Sequence, residues 1–275
     1  MQRSTLIAVK ELSAMLDDPD LVLLDCSLKK TASGKEFDLK GKTIPGARFF
    51  DLENTFSDAQ SDFPNTLPQT QDFERRARAL GINTDSKLVV FDAGGMYSSP
   101  RVWWMFQVMG NRHIRVLNGG LPAWNEAGFP LAEGFETDFE EGNFKAAFDH
   151  GSVKSFQDIE QNTDAQKFTL VDARSSGRFK GIDPEPRPHL QSGSIPQSVN
   201  FPFQDVLENG KFKSKTELYK LFEERSLLTD KLVYSCGSGL TACIIMLAGQ
   251  IAAQKGIQLY DGSWTEWAEL KKMKK

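Results

Sequence analysis

Short apolar runs rich in β-branched and aromatic residues recur at positions 21–24, 88–91, 168–171 and 232–234. Longer stretches with helical spacing lie between them, among them 71–80 and 215–224. Strands that are apolar almost throughout must be covered on both faces, and alternation with helices supplies that cover. The pattern predicts an α/β fold built on a mainly parallel sheet flanked by helices.

The pattern occurs twice. Leu23-Leu24-Asp25-Cys26-Ser27 answers to Leu170-Val171-Asp172-Ala173-Arg174, and Ile44-Pro45-Gly46-Ala47 to Ile195-Pro196-Gln197-Ser198. Lys87-Leu88-Val89-Val90-Phe91-Asp92 answers to Lys231-Leu232-Val233-Tyr234-Ser235-Cys236, and Leu117-Asn118-Gly119-Gly120 to Tyr260-Asp261-Gly262-Ser263. The offsets fall between 143 and 151, in one order, which implies a duplicated domain. Residues 1–131 form the expected N-terminal domain and 151–275 the C-terminal one. The stretch 132–150 is acidic, glycine-punctuated and without a clear period, and reads as the linker.

Composition narrows the class. A chain of 275 residues with 40% hydrophobic and 25% charged residues suits two medium globular domains. With 33 Lys+Arg against 37 Asp+Glu the formal charge is −4, which gives no reason to expect a nucleic-acid surface. The three cysteines include no CxxC pattern, so a reduced intracellular protein is expected, with neither metal nor cofactor. Charged residues interrupt positions 1–24 where a signal peptide needs an apolar core. The nearly apolar stretch 242–253 is too short to span a bilayer and contains Gln250, so no membrane partner is expected. A cytoplasmic location follows as the default.

The most telling segment runs from Leu232 to Cys243. An apolar run stops at Cys236, small residues follow, and helical patterning begins at Leu240, with Ala242, Ile244, Ile245 and Leu247 on its core-facing side. In parallel sheets, ligands bind where strands end and loops turn into helices. A thiol set there, among converging backbone N–H groups, should ionise easily and tolerate a negatively charged adduct. Gly237 and Gly239 remove side chains that would obstruct those amides and can both take positive φ. The competing reading of Cys236 is an inert core thiol. For Cys26, at a strand end, and Cys243, on the apolar helix, packing is the better reading.

At the equivalent place in the first copy stands Asp92, followed by Ala93-Gly94-Gly95-Met96. A carboxylate is no sulfur nucleophile, so that copy is expected to have lost catalysis. The aromatic run Pro100-Arg101-Val102-Trp103-Trp104-Met105-Phe106 reads equally well as a domain interface or an internal core. Cysteine phosphatases need an arginine six residues after the cysteine; that position is Ala242 here. A cysteine protease or acyltransferase needs a histidine base. His113, His150 and His189 sit in no recognisable catalytic setting and read as surface residues.

Taken together these residues resemble the tandem-domain rhodanese superfamily. The loop Cys236-Gly237-Ser238-Gly239-Leu240-Thr241 is similar to that of the 3-mercaptopyruvate sulfurtransferase branch, whereas the thiosulfate branch carries basic residues there. Arg178-Phe179 and Glu185-Pro186-Arg187 strengthen the likeness, which covers nearly the whole chain. It implies two rhodanese-like domains, the second catalytic, and transfer of sulfur from 3-mercaptopyruvate through a Cys236 persulfide to a thiol acceptor such as thioredoxin, or to cyanide, with release of pyruvate. Arg178 and Arg187 would hold the substrate's carboxylate and keto oxygen; without the resemblance they read as solvated surface. Gly237, Gly239 and Leu240 would line the sulfur site, and Ser238 and Thr241 hydroxyls would donate within the loop or relay a proton. Many members place a histidine before the Ile-Pro turn of the first copy, in a relay with the loop serine. Thr43 stands there, and Ser194 at the matching turn, so that relay does not carry over. Thiosulfate as donor and a non-catalytic persulfide carrier are the alternatives.

Overall fold

The computed structural model describes residues 4–39, 41–253 and 256–273. The remaining positions, among them the first three of the stretch 1–24 and the last two of the expected C-terminal domain, lie outside the described residues.

The chain divides into two compact units. One takes the described residues up to Ala59, Leu67–Asp149 and Asn209–Lys211. The other takes Gln60–Thr66, His150–Glu208 and the described residues from Phe212 onward. Each therefore includes a short segment from the other half of the sequence.

In the first unit the elements are β1 (Leu6–Ile7), α1 (Val9–Ser13), β2 (Leu21–Asp25), β3 (Lys42–Thr43), β4 (Arg48–Phe49), α2 (Thr70–Ala79), β5 (Lys87–Phe91), α3 (Ser99–Val108), β6 (Ile114–Leu117), α4 (Gly120–Glu126) and β7 (Ala132–Glu133). The five-stranded sheet has the order β1-β6-β5-β2-β4, every pair parallel. In the second unit β8 (Val153–Lys154), α5 (Phe156–Ala165), β9 (Thr169–Asp172), α6 (Ser176–Phe179), β10 (Val199–Asn200), β11 (Leu207–Glu208), β12 (Lys211–Phe212, whose first residue is counted with the first unit), α7 (Lys215–Glu224), β13 (Leu232–Ser235), α8 (Ala242–Ile251), β14 (Gln258–Tyr260) and α9 (Ser263–Leu270) follow. Its sheet runs β8-β14-β13-β9-β10, again parallel throughout. The two orders are the same once matched strand for strand. Register agrees too: Asp25 lies opposite Phe91, and Asp172 opposite Ser235. The expected α/β fold with two mainly parallel sheets is what the chain adopts.

The apolar runs are continuous because these strands are buried on both faces. Val22, Leu23 and Leu24 are all buried, as are Leu232, Val233 and Tyr234. Two helices open with capping boxes, Ser155 with Asp158 for α5 and Ser214 with Glu217 for α7, which fix where each begins. The aromatic helix α3 contributes to the first unit's own core: Phe106 packs against Phe50, Phe73 and Phe144. The stretch read as a linker lies along this unit. β7 pairs antiparallel with β3, the Glu136 N–H donates to Ala47 O at 2.8 Å, and Phe144 is buried among the aromatic rings. Its extended course is why it shows no helical period.

Among the described residues no helix is long and apolar enough to cross a membrane. The apolar segment that begins at Ala242 is instead a ten-residue helix, buried from Ala242 to Gly249.

Candidate active site

Cys236 sits at the carboxyl end of β13, immediately before the loop that leads into α8. The Ser263 hydroxyl gathers two amides of this loop. The Ser263 Oγ accepts the N–H groups of Cys236 and Gly239, each at 3.1 Å, and donates its own hydrogen to Tyr260 O at 2.9 Å. Ser263 holds a left-handed backbone, φ 53°, to do so. From α9, the Trp264 N–H donates to Cys236 O at 2.9 Å, and Thr265 donates twice to Gly237 O, from its N–H at 3.0 Å and its hydroxyl at 2.6 Å. The N–H groups of Gly237, Ser238, Leu240 and Thr241 meet no acceptor among the described residues. Cys236 is 1% exposed, Leu240 5% and Ser238 7%. Unused amides at the head of a buried helix form a setting that favours negative charge.

The two loop glycines have different tasks. Gly239 takes φ 74°, the left-handed conformation glycine adopts without strain. Gly237 does not; a Cβ there would stand 2.9 Å from Arg178 Nη2, so that the tip of this side chain would have to shift. Arg178, on α6, is thereby placed beside the loop. Its guanidinium is held by Glu185, with Nε 3.2 Å from one oxygen and Nη2 2.5 Å from the other. Glu185 in turn accepts from Arg174 Nη1 at 2.8 Å. Arg174 also binds Asp172 at the end of β9, donates to Gly193 O at 2.6 Å and lies over the Trp264 ring. Burial works against the Arg174 charge, but Asp172 and then Glu185 more than offset it, so its pKa lies above the usual arginine value.

The other expected site residues fall as follows. Arg187 lines a cavity of about 450 Å³ together with Pro64, His189 and Thr265, the residue whose hydroxyl donates to Gly237. Cys236 is not among that cavity's lining residues. Leu240 is buried, and Thr241 precedes α8 without a side-chain capping bond. Ser238 meets Asn65, whose Nδ2 stands 3.1 Å from its Oγ and 3.4 Å from its carbonyl oxygen. Thr43 takes no part in this loop; its hydroxyl donates to Asp25 Oδ2 at 2.6 Å.

Comparison with known proteins shows the family. The family model described as Rhodanese-like domain matches twice, at residues 8–127 and 155–270. The chain belongs to the rhodanese family. The 3-mercaptopyruvate sulfurtransferase of Homo sapiens is 39% identical over 253 residues, covering 90% of this chain and 84% of that protein. The thiosulfate sulfurtransferase of Bos taurus is 40% identical over 229 residues, covering 82% of this chain and 76% of that protein. The crystal structure of the 3-mercaptopyruvate sulfotransferase SseA from Escherichia coli superposes with a TM-score of 0.84 at 33% identity, over 95% of this chain and 99% of that one.

The first rhodanese domain shows what such a loop does with an anion in place. Asp92, at the position of Cys236, points its carboxylate into its own loop. It accepts the N–H groups of Gly94, Tyr97, Ser98 and Ser99 and the Ser99 hydroxyl, at 2.6 to 3.2 Å. The residue matching Ser263 is Gly120, with nearly the same φ, 54°; a Cβ there would lie 2.3 Å from Asp92 O. The other two thiols are packed away. Cys26 donates to Phe91 O at 3.1 Å, and burial, then Asp92 and Asp25, push its pKa well up. Cys243 donates to Gly239 O at 3.4 Å.

Sequence reasoning did not single out Ser263, Thr265, Arg174, Glu185 or Asn65 as parts of this site. Ser263 and Arg174 were visible only as landmarks of the repeat, and Glu185 as a neighbour of Arg187. Asn65 gave no signal at all.

Proposed function

We propose that this rhodanese-family chain is a 3-mercaptopyruvate sulfurtransferase whose second domain carries the sulfur on Cys236. The observation that carries the reading is the contrast between the two loops. Where the first copy fills its ring of amides with the Asp92 carboxylate, the second places a thiol and leaves four N–H groups without an acceptor among the described residues. A persulfide carries its negative charge on the outer sulfur, one bond length beyond the thiolate, and suits such a ring.

The Cys236 thiolate attacks the donor's sulfur. The carbon–sulfur bond breaks with its electron pair going to carbon, pyruvate enolate leaves and takes up a proton, and the sulfur stays on Cys236 as a persulfide. An acceptor thiolate, of the thioredoxin kind, then attacks the outer sulfur and regenerates the Cys236 thiolate; cyanide does the same and leaves as thiocyanate. Arg187 and the edge of the Arg178 guanidinium that Glu185 does not engage bind the carboxylate and keto oxygen.

Donor choice rests on charge. Asp172, Arg174, Glu185 and Arg178 form one chain of contacts whose formal charges cancel, and the loop 236–241 contains no basic residue. Arg178 therefore offers hydrogen-bond donors without excess charge, which favours a monoanionic carboxylate over dianionic thiosulfate. Thiosulfate is the second reading, since a thiosulfate sulfurtransferase is among the close relatives. Specificity constants for the two donors decide between them, with 3-mercaptopyruvate expected to win. A protein that takes up one sulfur on Cys236 and turns over neither donor is a carrier, not an enzyme.

Changing Arg187 to alanine is expected to lower kcat/KM for 3-mercaptopyruvate by about 1.5–3 kcal/mol, the worth of a hydrogen bond to a charged group. The loss should be absent when the donor lacks a carboxylate. An equal loss for both donors removes Arg187 from carboxylate binding.

A further inference from the structure

We propose that Asn65 is a positioning residue for this reaction: it fixes the direction of the Ser238 hydroxyl, so that Ser238 donates its hydrogen to the anion held in the Cys236 loop. The proposal rests on the sulfurtransferase reading and adds a group from the far half of the sequence to its machinery.

Asn65 faces two atoms of Ser238, the Oγ at 3.1 Å and, at the limit of hydrogen bonding, the carbonyl oxygen at 3.4 Å. A carbonyl oxygen only accepts, so the side-chain atom turned toward Ser238 is the amide nitrogen and not the amide oxygen. That nitrogen only donates. Ser238 Oγ is thus the acceptor in this contact, and its own hydrogen is directed elsewhere. No acceptor for it exists among the described residues, although Ser238 is 7% exposed. A buried hydroxyl with its acceptor side occupied and its donor side unused is poised to serve a ligand anion. An amide does not titrate, so this polarity holds across the physiological pH range, unlike that set by a histidine or carboxylate.

The placement of Asn65 is built, not incidental. Its backbone is left-handed, φ 60°, a conformation asparagine tolerates better than most residues. The matching segment of the duplicate behaves alike. Asn209, 144 positions later, has φ 50°, and the neighbouring Gly210 carbonyl oxygen would lie 2.9 Å from a Cβ on Gly95, in the loop headed by Asp92. In each unit, then, an asparagine-bearing turn from the other half of the sequence seats on the loop that follows the central strand. At the Asp92 loop the close approach is made by backbone. At the Cys236 loop a side chain reaches a hydroxyl.

The experiment is a double-mutant cycle with Ser238→Ala, Asn65→Gly and both together, glycine being chosen because it keeps the left-handed backbone. Each single change is expected to lower kcat for 3-mercaptopyruvate about five- to tenfold, the worth of one hydrogen bond, with a smaller change in KM. The double variant should be no slower than the slower single. Asn65→Asp should lose more than Asn65→Gly at pH 8, because a carboxylate accepts the Ser238 hydrogen and turns it from the loop. That excess loss should shrink as the pH is lowered and the carboxyl takes a proton. Multiplying effects in the double variant, or an Asn65→Asp profile parallel to that of Asn65→Gly, overturns the proposal. The rate of Cys236 alkylation by iodoacetamide, read on the same proteins, needs no sulfur donor. If the unmodified chain turns over neither donor, the sulfurtransferase reading fails, and coupling or additivity in the alkylation rates still decides whether Asn65 acts through Ser238.

Discussion

Replacing Cys236 with serine is expected to abolish pyruvate release from 3-mercaptopyruvate, lowering kcat by more than roughly a thousandfold. A serine hydroxyl has neither the nucleophilicity toward sulfur nor the ability to carry a second sulfur, while its size preserves the loop. The backbone contacts of residue 236 to Ser263 and Trp264 involve only its N–H and C=O, so the variant should fold and bind substrate normally. Mass spectrometry of the unmodified protein treated with donor alone should show a gain of one sulfur atom on the peptide containing Cys236. The peptides of Cys26 and Cys243 should show none, because both thiols donate to backbone carbonyls. Iodoacetamide should modify Cys236 in the folded protein and spare the other two. This is a demanding requirement, since the residue is 1% exposed and the loop must admit a small electrophile. Turnover that survives the substitution, sulfur found on another cysteine, or a Cys236 closed to the reagent each removes the thiol from the chemistry.

How much of this was legible in the sequence depends on the distance over which each feature is built. The strands could be read because both faces are buried, which leaves an unbroken apolar run in the sequence. Duplication could be read because Asp25 and Asp172 close equivalent strands, opposite residues that themselves correspond. Cys236 stood out because strand, loop and helix follow one another within a dozen residues. Where the contact is long-range the signal vanishes. Asn65 and Ser238 lie 173 positions apart, and nothing near Asn65 marks it. Ser263 closes the loop from 24 and 27 positions away, and its left-handed backbone is a property of the turn, not of serine. The two loop glycines illustrate the same limit. Both can take positive φ, and which of them does is set by the fold: Gly239 has it, while Gly237 lies against the tip of an arginine from another helix. The stretch 132–150, read as the linker, shows no period because much of it is extended, with Phe144 buried among aromatic rings.

Arg174 carries the largest expected effect on stability. Its side chain is fully buried between two carboxylates, Asp172 and Glu185, and above the Trp264 ring. Truncation to alanine leaves both acids in a site without water's screening, with Arg178 left to serve Glu185. Breaking a buried ion pair from one side costs about 3–5 kcal/mol, more than either the lost packing or a surface pair would account for. Urea unfolding of Arg174→Ala should therefore show a lower midpoint with an unchanged slope, the product of midpoint shift and slope giving a loss of that size. Removing the acid as well separates charge from shape: Arg174→Met with Asp172→Asn should recover a large part of the loss, since neither member of that contact is then left charged. Activity should fall in both variants, because Glu185, released from Arg174, no longer holds Arg178 in its paired geometry beside Gly237. The decisive comparison is between the two measurements. A shift below about 1 kcal/mol in Arg174→Ala would mean that the buried carboxylates are rescued by protonation or solvent, and the chain of charges would then be ornament to the fold. Stability restored in the double variant while kcat/KM stays low would show instead that the chain stabilises the domain and, separately, aims the guanidinium that receives the substrate.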